Sequence, residues 1–434
     1  MKGSALRRIG LLRNVHLNLG DEAMLSAEIA LLREAFPGRE LRVFTDDPEG
    51  ARDRYQCTAT ESDVVLLHPF APGVSRRLDA IARAQSLVAA AGRKAREKAY
   101  VPFACRRFLV AAEELSQGRE PRGLSKAQSE LLKQLSAMDL IVAGGSLVPS
   151  VPHTEKCRTA VLRALRVLNK PVILHGLSVF RRDEQGSVYH DCARIILRDP
   201  ARSRQHAESC DIPAGRLLDG VDPALTLRPG SEERARSFLE SCGAGRQRFA
   251  AVNLRSGARE QDLRLLSSEL QRLARDGRFD RVLLFGMQHH PAEDDRRILS
   301  EFQTILQPLA STLVTARLAP ELLKAVLALA EFAAVCRYHG AVFCLASAVP
   351  VLGLSVSSEY DLKLEGVYSM YERQDWFCAA GAFEPNRLRL VAAASPEDRC
   401  ALAAMTSRLA PRQNVLIGAI LDVLGLSKNS AASA

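Results

Sequence analysis

A short β-type run at Arg8–Leu12 gives way to the polar turn Asn18-Leu-Gly-Asp-Glu22. From Ala23 to Phe36 the apolar positions Met24, Ala27, Ile29, Leu31 and Leu32 recur at helical spacing. Pro37-Gly38 stops that helix, and Leu41–Phe44 reads as the next strand, ending in Thr45-Asp-Asp-Pro48. Strand, glycine-containing turn, helix and strand make a βαβ unit, which predicts a parallel sheet. The rhythm breaks between Ser75 and Gly118, an Ala- and Arg-rich stretch of helix formers that predicts a helical insertion on the surface. It resumes with the buried strand Asp139-Leu-Ile-Val-Ala-Gly-Gly-Ser146, a helix near Cys157–Leu168, and the strands Pro171–Gly176 and Ile195–Asp199. Pro223, Pro229, Gly230 and the charged run Glu232–Arg236 mark a linker and a new helix. Beyond it, Phe249–Leu254, Arg281–Phe285, Leu313–Thr315, Ala333–Cys336 and Val349–Leu354 read as strands with helices between them. A helix at Asn414–Leu424 and a tail of small residues end the pattern.

The pattern therefore predicts an α/β chain of two Rossmann-like doubly wound domains, residues 1–228 and 229–434, with a basic helical insertion at about 75–135 in the first. Two such domains in series hold a ligand in the cleft between them, at the carboxyl ends of their strands. A motif that directly follows a strand is a candidate for that cleft.

Composition narrows the function. With 47% apolar and 25% charged residues the chain is neither disordered nor fibrous. No apolar run approaches the roughly 20 residues of a membrane span. The basic start at Lys2, Arg7 and Arg8 is followed only by Ile9–Leu12, too short for a secretory core, so a cytoplasmic location is expected. The net charge of +9 with 5% aromatics and one Trp lacks the stacking surface of a nucleic-acid binder, and points to a small anionic ligand or an acidic surface. Between Arg76 and Arg107, nine Lys/Arg stand against Asp79 and Glu97. The ten cysteines form no CxxC pair and read as buried thiols, neither a disulfide framework nor a zinc site.

Four turns carry candidate chemistry. In the first, Gly20 permits a tight bend, Asp21 can cap the helix and Asn18 can face a ligand. At Gly144-Gly145-Ser146, backbone N–H groups can cradle a carboxylate or phosphate, or simply turn the chain. Arg198-Asp199-xxx-Ser203 offers an arginine that binds an anion or pairs with its neighbouring aspartate. Cys336-Arg337-Tyr338-His339-Gly340 is the most informative: Arg337 can bind an anion through both arms of its fork, and His339 can act as a general acid or base. His175 ends a strand as a further candidate. His289-His290 with Asp294-Asp295 reads as a solvated turn, and no metal is expected there, because adjacent side chains diverge. GxGxxG and GxxxxGK[ST] are both absent, which removes dinucleotide and P-loop chemistry.

The order of these motifs resembles the polysaccharide pyruvyl transferase family. Asn18-xx-Asp21-Glu22, Asp139…Gly144-Gly145-Ser146 and Lys170-Pro-Val-Ile-Leu-His-Gly176 resemble its first half; Leu197-Arg198-Asp199-xxx-Ser203, Asp222-Pro-Ala-Leu and Arg337-Tyr-His339-Gly-Ala…Pro350 continue it. The resemblance spans about Ile9 to Lys363. It implies a GT-B-like pair of domains, acceptor on the first and donor on the second. It implies transfer of pyruvate from phosphoenolpyruvate onto a sugar of a cell-surface polysaccharide or its precursor, as a ketal, with release of phosphate. Phosphoenolpyruvate is then a substrate, and no cofactor is expected. In that scheme His339 is the acid, Arg337 the anion clamp, and Asp21 the base or an acceptor-orienting group. Arg198 and Lys363 are further anion contacts, and Asn18, Gly144, Gly145, Ser146 and His175 line the substrates. Because acceptors of this family are commonly carried on lipid or built into anionic polymers, the basic stretch is a candidate contact with an anionic membrane. Two other classes share the outline: a nucleotide-sugar glycosyltransferase and a non-catalytic glycan-binding protein.

Overall fold

The computed structural model describes residues 6–13, 17–61, 87–144, 152–179, 189–290 and 293–426. In the first half, strands β1 (Arg8–Leu12), β2 (Glu40–Thr45), β3 (Thr58–Glu61), β4 (Leu140–Gly144), β5 (Val172–Leu177), β6 (Arg194–Leu197) and β7 (Leu217–Asp219) form one sheet in the order β3-β2-β1-β4-β5-β6-β7. In the second half, β8 (Phe249–Asn253), β9 (Arg281–Leu284), β10 (Ser311–Leu313), β11 (Phe332–Val335), β12 (Val351–Leu354) and β13 (Phe377–Cys378) form another, ordered β10-β9-β8-β11-β12-β13. Both sheets are parallel, and in each the order reverses beside the first strand, β1 against β4 and β8 against β11. That reversal opens a crevice at the carboxyl ends. The strands β4 and β8 are buried along their whole length, as expected where helices cover both faces of a parallel sheet. The expectation of two Rossmann-like domains holds.

The first helix, Leu19–Ala35, starts earlier than its apolar spacing suggests because Asn18 caps it: its Oδ1 accepts from the N–H of Gly20 at 3.0 Å and of Asp21 at 3.3 Å. Its two faces serve different cores. Leu25, Ile29 and Leu32 pack on the first sheet, whereas Leu19, Ala23, Met24 and Ala27 join the core of the second domain. The helix is thus wedged between the halves, its amino end at the cleft.

Part of the insertion behaves differently from its sequence reading. Helix Leu87–Ser116 buries Val101, Ala104, Cys105, Phe108 and Ala111 in a core shared with helix Pro152–Val167. These positions follow the i, i+3, i+4, i+7 stripe of a helix lying on a sheet layer, so this half is a structural layer and not a surface appendage. Arg76, Arg77 and Arg83 lie outside the described residues, as do the side chains of Arg93, Lys94, Arg96 and Lys98. The last helix, Val415–Leu424, packs on β5 and β6, where Leu416, Ala419, Ile420 and Leu421 share a core with Ile173 and Ile196, and Arg194 pairs with Asp422. No helix among the described residues is long and apolar enough to cross a membrane.

Candidate functional site

The Asn18 turn is stitched to the second domain. The Leu19 N–H donates to the Met287 carbonyl at 3.0 Å, and the His289 N–H donates to the Leu17 carbonyl at 2.8 Å. This docking places Gly20 under the start of helix Tyr338–Ala346, where a β-carbon at Gly20 would overlap the His339 ring. Glycine is required here by close approach. On the other side of that ring, His339 Nε2 stands 3.4 Å from Asp222 Oδ2. Asp222 also accepts from the Ala224 N–H at 2.8 Å and from Arg198 Nη1 at 3.1 Å. Arg198 donates through Nε to Ser178 Oγ at 2.7 Å, and its guanidinium lies 4.0 Å over the Tyr338 ring. Asp21, Arg198, Asp222, Tyr338 and His339 thus converge from the first helix, the end of β6, the linker and the turn after β11.

The carboxylates of this group are driven apart. Burial raises Asp21 above its ordinary range, against the opposing pull of His339, Arg13 and Arg198. Burial would raise Asp222 as well, but His339, Arg198 and the Ala224 amide hold it well below that range. Asp199 is pushed up to about 6 by burial, opposed by Arg198 and by hydrogen bonds from Ser203 and Ser178. Two neighbouring carboxyls moved in opposite directions, Asp21 toward a stronger base and Asp222 toward a lasting negative charge, are the usual signature of divided roles in proton transfer.

Other residues singled out from the sequence lie elsewhere. Arg337 is buried, and its fork is occupied: Nη2 donates to Asp295 Oδ1 at 2.6 Å and Nε donates to the same carboxylate at 3.1 Å. Asp295 also accepts the N–H groups of Met287 and Gln288, both at 3.0 Å. Arg337 therefore ties the turn after β11 to the loop after β9. His175 is buried within β5, its Nδ1 on Glu28, and Glu28 also receives Arg13. Burial works against ionisation of Glu28, yet Arg13 and His175 hold its carboxyl below the ordinary range. Gly144 ends β4 against this trio, where a β-carbon would overlap the His175 carbonyl. Gly145 and Ser146 lie outside the described residues. Lys363 sits on helix Ser358–Met370, its Nζ 5.1 Å from the Tyr360 ring centre. Asp294 is engaged by Arg296. His289 is buried, and burial lowers it below the ordinary imidazole range.

Several functional-grade residues gave little signal in the sequence. Asp222 stood inside a recognisable motif without a role; Arg13 and Ser178 directly follow ordinary strands, Glu28 lies inside helix Leu19–Ala35, and only the fold shows what they touch. Near Glu22, a cavity of about 220 Å³ opens between the domains, lined by Asp47, Arg54, Tyr55, Arg317 and Leu318. Glu22 receives Arg54 from one domain and Arg317 from the other.

Fold and cleft together define a two-domain protein of the GT-B architecture. The chain belongs to the polysaccharide pyruvyl transferase family, whose model matches residues 18–358. No curated protein matches the chain. Its fold is shared by a glycosyltransferase from Rickettsia africae (9% identity, 96% of this chain and 98% of that one, TM-score 0.56). A UDP-GlcNAc 2-epimerase from Neisseria meningitidis bound to UDP-GlcNAc is similar at 10% identity (96% and 100%, TM-score 0.54). So is Anabaena HepE in complex with UDP-glucose, at 11% identity (96% and 99%, TM-score 0.58).

Proposed function

We propose that this transferase moves pyruvate from phosphoenolpyruvate to a saccharide of the cell envelope, forming a ketal and releasing phosphate. The observation that carries the reading is the convergence, across the domains, of Asp21, Arg198, Asp222 and His339 in a chain of this family. His339 protonates the methylene carbon of phosphoenolpyruvate, which leaves oxocarbenium character on the neighbouring carbon. A sugar hydroxyl attacks that carbon and passes its proton to Asp21. The second hydroxyl then displaces phosphate and closes the ketal: its proton returns to His339, and Asp21 gives its proton to the departing phosphate, so both residues end as they began. Asp222, held ionised, orients the imidazole, and Gly20 leaves the ring room to lie on the helix end. The cavity beside Glu22 is the acceptor's place in this scheme, and no cofactor takes part.

His339→Gln is expected to fold and to lose transfer by about 10²–10⁴-fold. The assay is phosphate release from phosphoenolpyruvate with a saccharide acceptor. A thermal-shift series with phosphoenolpyruvate, nucleotides and nucleotide-sugars runs beside it. Stabilisation by nucleotide-sugars alone would replace this reading with glycosyl transfer.

A membrane contact belongs to the same reading. Helix Leu87–Ser116 exposes Phe103 and Val110 beside the exposed Arg106 and Arg107, an apolar and basic face suited to anionic lipid. Co-sedimentation with anionic but not neutral liposomes, lost at high salt, is expected; no sedimentation at low salt removes the contact.

A further inference from the structure

With the fork of Arg337 taken by Asp295, and that of Arg198 by Ser178 and Asp222, the second domain still holds one arginine built for an external partner. Arg255 leaves the carboxyl end of β8, at the crevice where the strand order reverses. Its guanidinium lies 4.0 Å over the Tyr360 ring. Its Nε and Nη1 are buried and hydrogen-bonded to nothing among the described residues. No other arginine in the described residues has two nitrogens in that state. A buried N–H without an acceptor is costly, and arginine cannot relieve the cost by giving up its proton. Stacking on Tyr360 fixes the plane of the fork, so both unbonded donors keep one direction. The Lys363 ammonium, 5.1 Å from the centre of the same ring, adds positive field. The loop that carries Arg255 also lines, through Leu254, Gly257 and Arg259, a cavity of about 270 Å³ whose other walls include Asp262, paired with Arg259, and Ser355.

We propose that Arg255, stacked on Tyr360, is the receptor for the phosphoryl group of the ligand, with the adjoining cavity taking what the phosphoryl group carries. The assignment rests on the pyruvyl-transfer reading only for which molecule brings the phosphate; the anion site itself rests on the unbonded fork.

Inorganic phosphate is the probe, titrated calorimetrically into the full chain and into Arg255→Gln, Arg255→Lys and Arg264→Gln. Arg264 is an exposed arginine paired with Glu260 and serves as the control. Arg255→Gln is expected to weaken phosphate binding by about tenfold to a hundredfold. Arg255→Lys, which keeps the charge and loses the fork, should weaken it by about tenfold or more, and Arg264→Gln should leave it unchanged. If Arg255→Gln does not fold, Arg255→Lys decides alone. Phosphate affinity equal to wild type in the folded Arg255 variants, or no phosphate binding by wild type, overturns the proposal. In parallel, the Michaelis constant for phosphoenolpyruvate is measured. Transfer by Arg255→Gln at an unchanged constant sinks the Arg255 assignment and leaves the pyruvyl reading standing. Loss of phosphate binding in the variants, with no transfer from phosphoenolpyruvate by wild type, upholds the anion site and removes the pyruvyl reading.

Discussion

His339 owes its position to two residues that no local pattern connects with it. Gly20 lies under the ring and Asp222 beside it, 319 and 117 positions away in the chain. Gly20→Ala places a methyl group where the imidazole now lies, while alanine suits the first turn of a helix well. The variant is expected to melt within a few degrees of wild type and to lose transfer to about the extent of His339→Gln. Retained transfer in Gly20→Ala would show that the ring works from another position. Arg337 is the counter-example at the same scale. Its charge and its place after a strand were plain in the sequence, but its partner Asp295 sits in a different loop, and sequence spacing does not reveal which charges cancel.

Among the elements, the turn that carries Asp222 depends on a helix from the other domain. Lys324, buried on helix Pro320–Leu327, donates Nζ to the carbonyls of Ala224, Leu225 and Leu227 at 3.2, 2.8 and 2.8 Å. Burial pulls this lysine down to about 7, against the opposing charge of Asp222. Lys324→Met leaves three buried carbonyls without that donor, at about 1–3 kcal/mol for each that stays unpaired. The expected result is a melting point lower by several degrees and a loss of transfer, because the cap that presents Asp222 loosens with the turn. An unchanged melting point would mean that the carbonyls have found other donors. Ten strands were readable because β-rich runs ended in glycine, proline or charge, whereas β3, β7 and β13, short strands at the edges of their sheets, carried no such run and were missed. Helix Leu87–Ser116 was less so, since its arginines drew attention to the surface while Val101, Ala104 and Phe108 marked a buried stripe.

Across the whole molecule, the contact between the domains is itself titratable. Asp199 ends the turn after β6, and a β-carbon at Gly366 of helix Ser358–Met370 would stand 2.7 Å from the Asp199 β-carbon. The neighbouring Arg202 pairs with Glu365 across the same contact. With Asp199 near 6 in the fold and about 3.9 in the unfolded chain, the folded state binds more protons between those values. The stability this group contributes is therefore fully present below about pH 4 and is lost as pH rises through about 6. Wild type measured against Asp199→Asn should lose about 2–3 kcal/mol between pH 4 and pH 7 in denaturant unfolding. A difference that stays constant across that range would show that Asp199 titrates normally.

By itself the sequence determined the two βαβ halves, the glycine and arginine turns at strand ends, and the family, because each is written in short-range pattern: alternation of apolar runs with breakers, and motifs a few residues long. Only the tertiary structure decided which of those turns meet. It joined Asp21 to His339 through Gly20, gave Arg337 to Asp295 and His175 to Glu28, and left Arg255 with its donors unused. It also returned helix Val415–Leu424 to the first sheet. The physical reason is that the partner of a charge and the depth of its burial are set by packing between segments hundreds of residues apart. A linear pattern shows which residues are able to ionise; the desolvation and the neighbouring charges that decide whether they do so exist only once the domains have closed on each other.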